Sequence, residues 1–297
     1  MVKTLYSFAK RLKRSPFSTG HNEHREPSLL SRYPFDMDSI RQHWLPAAGD
    51  QDELSDFRAF DRRVMMLCAG RTGSQLLCYL MQDFGFQFVE TTNCVFDVLG
   101  NRPPQGKATV REYMQHLIDT ASPGRFGVKG IAEAAIPFFL YNEWPKYIDE
   151  WKIVRIKRRN VVRQAISLLI ALKTNQWEWH HKPAGTVTDD DYDFEKILWS
   201  MEMIVDANNK IERLISYLGV DALTVYYEDL AADTRGVTDK VGKYLDLERT
   251  GTAALEGMTA RPKPNVQSTE LNKRWEERFH EDLSSRDPLA ELRAVAA

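Results

Sequence analysis

The stretch Arg62–Leu77, RRVMMLCAGRTGSQLL, decides the reading of this chain. Arg62–Ala69 is a short apolar run that stops at Gly70, the pattern of a strand buried on both faces. Gly70-Arg71-Thr72-Gly73-Ser74 follows, and then Leu76, Leu77, Leu80, Met81 and Phe84 at helical spacing. A helix that starts directly after a glycine turn exposes backbone N–H groups and the positive end of its dipole. Gly70 and Gly73 let the backbone turn tightly, Arg71 adds a permanent charge, and Thr72 and Ser74 add hydroxyls. Together these residues predict a phosphate cradle. It is not a nucleotide loop of the GxxxxGK[ST] kind, because no Lys-Ser/Thr pair follows the glycines. An ordinary glycine turn between strand and helix is the bland alternative.

Working outward, Gly85 sits where a helix-terminating glycine belongs, and Phe86–Glu90 reads as a second strand. Val110–Thr120 reads as a helix, Phe126–Ile131 as a strand, and Glu133–Tyr147 as a helical stretch broken by Pro137 and Pro145. Trp151–Lys157 reads as a strand and Asn160–Trp177 as a helix with Asn160 as its N-cap. A long helix over 193–218, a strand over Leu223–Tyr227, a helix over Val237–Leu245 and a helix near Asn272–Asp282 complete the pattern. Strands separated by helices predict an α/β fold, a central parallel sheet flanked by helices. We expect an N-terminal extension over 1–60, one α/β domain over 61–282 and a C-terminal tail over 283–297.

A second basic feature lies at another strand-to-helix junction. Arg155, Lys157, Arg158, Arg159 and Arg163 cluster at the start of the Asn160 helix, which is the end that repels cations. A bound anion, gripped by Arg158 and Ser167, would explain the cluster; a solvated basic helix start is the alternative.

Two phosphate-binding junctions on one parallel sheet, with no magnesium motif, resemble the sulfotransferase fold, a P-loop-like three-layer sandwich. RTGSQLL at 71–77, FGVK at 126–129, RRNVVRQAIS at 158–167, KTNQW at 173–177, YYEDL at 226–230 and QSTELNKRWEERF at 267–279 look most similar to bacterial carbohydrate sulfotransferases of the trehalose-sulfotransferase (Stf0) and Nod-factor types. The resemblance implies sulfuryl transfer from PAPS (3′-phosphoadenosine 5′-phosphosulfate) to a hydroxyl of a saccharide or glycolipid. It implies that Arg71, Thr72, Gly73, Ser74 and Gln75 bind the 5′-phosphosulfate, and Arg158 and Ser167 the 3′-phosphate. The family usually has Ser or Thr where this chain has Gln75. It is compatible with a homodimer, and it treats the YEDL element as architectural.

In-line transfer builds negative charge on the bridging oxygen, so Arg71, the loop amides and Lys129 are the candidate stabilisers. No metal is expected. Glu90, at the end of the strand after the loop helix, is the candidate base, with His180, His181 and Asp97 as rivals. Thr174, Gln176, Trp177 and His180 are the candidate acceptor-side residues, Trp179 flanks the same loop, and Gln267 and Ser268 are candidates to close over the donor. Trp275 and Phe279, four residues apart, are expected to dock a C-terminal helix. Two further readings stay open: a nucleotide kinase or phosphotransferase, and a non-catalytic binding protein of the same fold.

Composition bounds these readings. The 297 residues carry 40 Lys+Arg against 42 Asp+Glu, a net charge of −2 that speaks against a general nucleic-acid binder. Cys68, Cys78 and Cys94 form no CxxC pair, which fits reduced thiols in a cytoplasmic protein better than a disulfide framework or zinc ribbon. No apolar run approaches a membrane span, and the N-terminus lacks a signal-type apolar core. Residues 1–14 are basic, with Leu5, Phe8, Ala9 and Leu12 at helical spacing. A solvated tail, a helix lying peripherally on an anionic membrane, and a transit peptide all fit.

Overall fold

The computed structural model describes residues 60–86, 88–90, 106–107, 109–121, 124–132, 151–178, 182–250 and 270–286. The elements in chain order are β1 (Arg62–Cys68), α1 (Ser74–Leu80) with a 3-10 turn at Met81–Phe84, β2 (Phe88–Glu90) and α2 (Val110–Asp119). Then come β3 (Arg125–Ile131), β4 (Lys152–Lys157), α3 (Val161–Thr174) and, after a 3-10 turn at Asp189–Asp191, α4 (Phe194–Leu218). β5 (Ala222–Tyr226), α5 (Tyr227–Ala232), α6 (Thr234–Tyr244) and α7 (Glu270–Ser285) follow. The strands form one parallel sheet in the order β2-β3-β1-β4-β5.

β1 is central because it is the strand that can be apolar on both faces. Met65 and Leu67 enter one core, with Phe126 and Val128 of β3 and Ile153 of β4. Val64, Met66 and Cys68 enter the other, with Val154 and Ile156 of β4 and Val225 of β5. The period-2 alternation of a strand thus feeds two cores, and each is roofed by helices. Ala165, Ile166 and Leu169 of α3, six buried residues of α4, and Trp275 and Phe279 of α7 close the first. Leu77 and Cys78 of α1, Leu230 of α5 and Val241 of α6 close the second. The result is the α/β three-layer sandwich expected from the sequence. Trp275 and Phe279, fully buried, dock α7 as their spacing indicates.

This layering positions the site. The helix after β1 goes to one face of the sheet, and the helix after β4 goes to the other. β1 and β4 are neighbours, so a crevice opens between their C-terminal ends. The β1–α1 loop and the β4–α3 loop flank it.

Two differences from expectation lie beside this crevice. The helix read over Asn160–Trp177 ends at Thr174, with Asn175 left-handed at φ 54. The chain itself returns to satisfy this end: Ala184 N–H donates to the Thr174 carbonyl at 2.7 Å. Gln176 and Trp177 therefore lie beyond the helix. The YYEDL segment ends β5 and forms the short helix α5, an element not expected from the sequence. Among the described residues no helix is long and apolar enough to cross a membrane.

Candidate active site at the crevice between β1 and β4

The β1–α1 loop is built by two left-handed residues, Arg71 (φ 64) and Gly73 (φ 79), which bracket Thr72. Gly73 is needed on two counts: its φ, and a Cβ there would lie 2.5 Å from Cδ2 of Tyr227. Gly73 is the N-cap of α1 and provides no side-chain cap, and no acidic residue stands in the first turn. Thr72 corrects one expectation. It is fully buried and its hydroxyl donates to the Ala69 carbonyl at 3.2 Å, so it braces the loop and only its backbone can face a ligand. Gln164 of α3, also fully buried, donates to the Gly70 carbonyl at 2.6 Å and ties the loop to the opposite junction.

Arg71 reaches across the crevice. Its Nε donates to Ser167 Oγ at 3.1 Å and its NH1 to the Trp177 carbonyl at 2.5 Å. Burial, and then the neighbouring charge of Arg158, push its guanidinium down to about 10. Arg158 lies over the Tyr227 ring at 4.7 Å, its side chain only 12% exposed. Its Nε is buried with no hydrogen-bond partner, and the Glu228 carboxylate stands 3.9 Å away, beyond hydrogen-bonding reach. Burial depresses its pKa as well. Two guanidiniums thus share one half-dry crevice, an unfavourable arrangement until an anion enters.

The rest of the basic cluster does not need an external anion, contrary to the expectation above. Arg155 pairs with Glu212 and donates to the Asn208 carbonyl on the first-core face. Arg159 makes two 2.7 Å bonds to Asp229. Arg163 donates to Glu276 at 2.5 Å. The start of α3 is itself capped by carboxylates: Glu228 accepts from the Arg159 and Asn160 N–H groups, and Glu276 from the Asn160 amide. Asn160 Oδ1 accepts from Arg163 N–H, as the N-cap reading requires. Protein carboxylates balance this cluster; the Nε atoms of Arg155 and Arg158 are both buried without a hydrogen-bond partner, and Arg158 is the one beside Arg71.

On the second-core face of the loop, Lys129 of β3 is 7% exposed and donates to Gln75 Oε1 at 2.6 Å. Ser74 opens α1 at 9% exposure. Glu90 is the last residue of β2, in register with Lys129 across the β2–β3 ladder. The acceptor-side candidates separate. Thr174 is buried with its hydroxyl given to the Ile170 carbonyl, so it ends the helix and does not face a substrate. Gln176 and Trp177 are half-buried beside Arg71, and the Trp177 indole donates to Asn175. His180, His181, Trp179, Asp97, Gln267 and Ser268 lie outside the described residues, as do residues 1–59.

Sequence reasoning missed four contributors. Tyr227 was visible only within an element taken as architectural, yet its ring packs on Gly73 and under Arg158. Gln164 lay unremarked in the α3 pattern. Tyr79 donates to Glu178 at 3.2 Å, and neither carried a motif signal. Among the described residues no group of His, Cys, Asp and Glu could hold a metal ion.

No curated protein matches the sequence. Solved structures similar to the chain include the sulfotransferase domain from the Synechococcus PCC 7002 olefin synthase, at 14% identity and TM-score 0.39, covering 80% of this chain and 99% of that one. A sulfotransferase from Alicyclobacillus acidocaldarius is similar at 16% identity and TM-score 0.40, covering 77% and 98%. The sulfotransferase domain from the curacin biosynthetic pathway is similar at 12% identity and TM-score 0.36, covering 77% and 99%. Residues 146–282, which carry β4, α3, the YEDL element and α7 up to its last turn, match the model of the Stf0 sulphotransferase family.

Proposed function

We propose that the protein transfers a sulfuryl group from PAPS to a hydroxyl of a carbohydrate or glycolipid. The observation that carries the donor assignment is the buried Nε of Arg158, without a hydrogen-bond partner, beside the depressed guanidinium of Arg71. Two cations facing one crevice, each at a different strand-to-helix junction, suit a small ligand with anionic groups at two ends. Arg158 takes the 3′-phosphate with Ser167, while the Arg71 side chain, the amides opening α1 and Lys129 take the 5′-phosphosulfate. PAPS supplies the sulfuryl group and a phosphate leaving group when bound. The protein's part is to neutralise charge growing on that leaving oxygen, to exclude water, and to take the acceptor proton. Glu90 is the proposed base, placed at the same sheet edge in register with Lys129. Gln176 and Trp177, beside the loop, are the proposed acceptor contacts. A homodimer, a cytoplasmic location and a peripheral membrane contact through residues 1–14 belong to the same proposal.

Thermal shifts with 3′,5′-ADP, 5′-ADP and Mg-ATP test the donor. A ligand that binds only the folded state raises its apparent stability. The proposal expects 3′,5′-ADP to stabilise most. Stabilisation by Mg-ATP without regard to the 3′-phosphate would mean a phosphotransferase instead.

A further inference from the structure

The β1–α1 loop carries a strained residue, and helix α3 holds it in place. Among the described residues three besides glycine have a positive φ: Arg71, Asn175 and Asp246. Asn and Asp tolerate that conformation through their short polar side chains, whereas arginine has no such relief. A residue kept in it at a functional site needs neighbours that fix it from several sides. Gln164 and Ser167 supply two of these holds from one face of α3, three residues apart. Ser167 Oγ accepts from Arg71 Nε at 3.1 Å and fixes the side chain. Gln164 Nε2 donates to the Gly70 carbonyl at 2.6 Å and fixes the backbone. A carbonyl only accepts, so it is the nitrogen of the Gln164 amide that faces Gly70. The peptide unit is planar, so a hold on the Gly70 oxygen sets the plane of the whole Gly70–Arg71 unit. Gly70 lies close against the same helix: a Cβ there would meet Leu168 Cδ1 at 4.0 Å.

Packing does not explain Gln164. The inward face of α3 is otherwise Ala165, Ile166, Leu169 and Ala171, with Thr174 closing it. Gln164 is fully buried among them, and its Oε1 is buried without a hydrogen-bond partner. Such an orphaned acceptor costs stability that an apolar side chain of the same shape would not. The bond to Gly70 is what the amide supplies in return. We propose that Gln164 is a positioning residue of the phosphate loop: by fixing the Gly70–Arg71 peptide it sets the left-handed turn that aims the amides opening α1 at the 5′ group of the donor. This inference rests on the donor reading above.

The test compares two ligands in the full-length protein by calorimetry: 3′,5′-ADP, and 3′-AMP, which lacks the 5′ group. Gln164→Met, which keeps the shape and removes the donor, is expected to weaken 3′,5′-ADP by about tenfold and to leave 3′-AMP within about twofold. Its unfolding midpoint in denaturant is expected to stay close to that of the parent. Gln164→Asn, one carbon short of the Gly70 carbonyl, is expected to repeat the ligand pattern, so misfolding of one variant leaves the other to decide. Equal losses for both nucleotides would mark a merely structural role, and no loss for either would remove Gln164 from ligand binding; both overturn the proposal. Should the parent bind neither nucleotide, the donor reading fails, and the loop is read without ligand. Glycine labelled with 13C at its carbonyl, together with 15N-arginine, marks two amides in this sequence, Arg71 and Arg125. The Arg71 resonance is expected to shift in both variants while Arg125 stays. An unmoved Arg71 resonance overturns the positioning role independently of the donor.

Discussion

Replacing Arg158 by alanine separates a ligand-binding cation from a packing one. In the free protein the change has opposing effects. A guanidinium held down to about 10 carries an unfavourable interaction on the order of a few kcal/mol while charged. That penalty is fully present at neutral pH and is lifted only as Arg71 loses its proton, so stability tied to it rises with pH above about 10. Burial is its larger cause and Arg158 the second, so Arg158→Ala relieves only part of it. Against this stands the lost cation–π contact with Tyr227, about 0.5–2 kcal/mol. The free variant should therefore unfold within about 1 kcal/mol of the parent protein. Ligand binding should behave differently. Charge-assisted hydrogen bonds are worth about 1.5–3 kcal/mol, a roughly 10- to 150-fold loss in affinity for 3′,5′-ADP. At a nucleotide concentration of about 100 times the parent Kd, the parent gains about 2.7 kcal/mol, read as roughly 5–11 °C in a thermal scan. A variant binding about 100-fold more weakly gains only about 0.4 kcal/mol, or roughly 1 °C. The preference for 3′,5′-ADP over 5′-ADP should vanish with it. A variant that unfolds several kcal/mol more easily yet keeps that preference would refute the reasoning, and Arg158 would be a packing residue.

Three other changes probe separate parts of the site. Glu90→Gln should lower turnover by roughly 10²–10⁴-fold with 3′,5′-ADP affinity intact; retained turnover removes Glu90 as the base. Gly73→Ala meets a left-handed φ and the Tyr227 ring at 2.5 Å, so denaturant titration should show a loss of about 2 kcal/mol or more; an unchanged midpoint contradicts the loop geometry. Glu276→Gln removes the carboxylate that holds the Asn160 and Arg163 side chains at the start of α3 and should cost about 1–2 kcal/mol at pH 7, with Arg163 partly exposed. Burial pushes the Glu276 carboxyl up, but the bonds from Arg163 and Asn160 outweigh it and its pKa is lowered in the fold. Its contribution is thus present above the unfolded value of 4.5 and is lost as pH falls through the lower folded one, so the stability gap between parent and variant should close in acid.

The layers of this protein are legible in its sequence because they follow from local periodicity. RRVMMLC can only be satisfied between two cores, and the amphipathic stretches after each strand supply the roofs. Gly73 and the Asn160 cap were legible for the same reason, since a left-handed turn and an N-cap depend on neighbours in sequence. Charge was the misleading signal. Five cations at the β4–α3 junction read as one anion site, yet Arg155, Arg159 and Arg163 meet carboxylates that lie 57, 70 and 113 residues away in the chain. Thr72 and Thr174 looked like ligand hydroxyls and are bonded inward to backbone carbonyls close by in the chain. By itself the sequence determined the parallel sheet, the helix layers and the placement of two glycine- and arginine-bearing junctions at strand ends, all set by patterns a few residues long. Tertiary structure decided which of those groups remain for a ligand. Arg71 meets Ser167 and Trp177, Arg158 keeps a buried nitrogen without a hydrogen-bond partner, Lys129 donates to Gln75, and Tyr79 donates to Glu178. A side chain's residual hydrogen-bonding capacity depends on everything packed around it, and those partners come from strands and helices far apart in the chain.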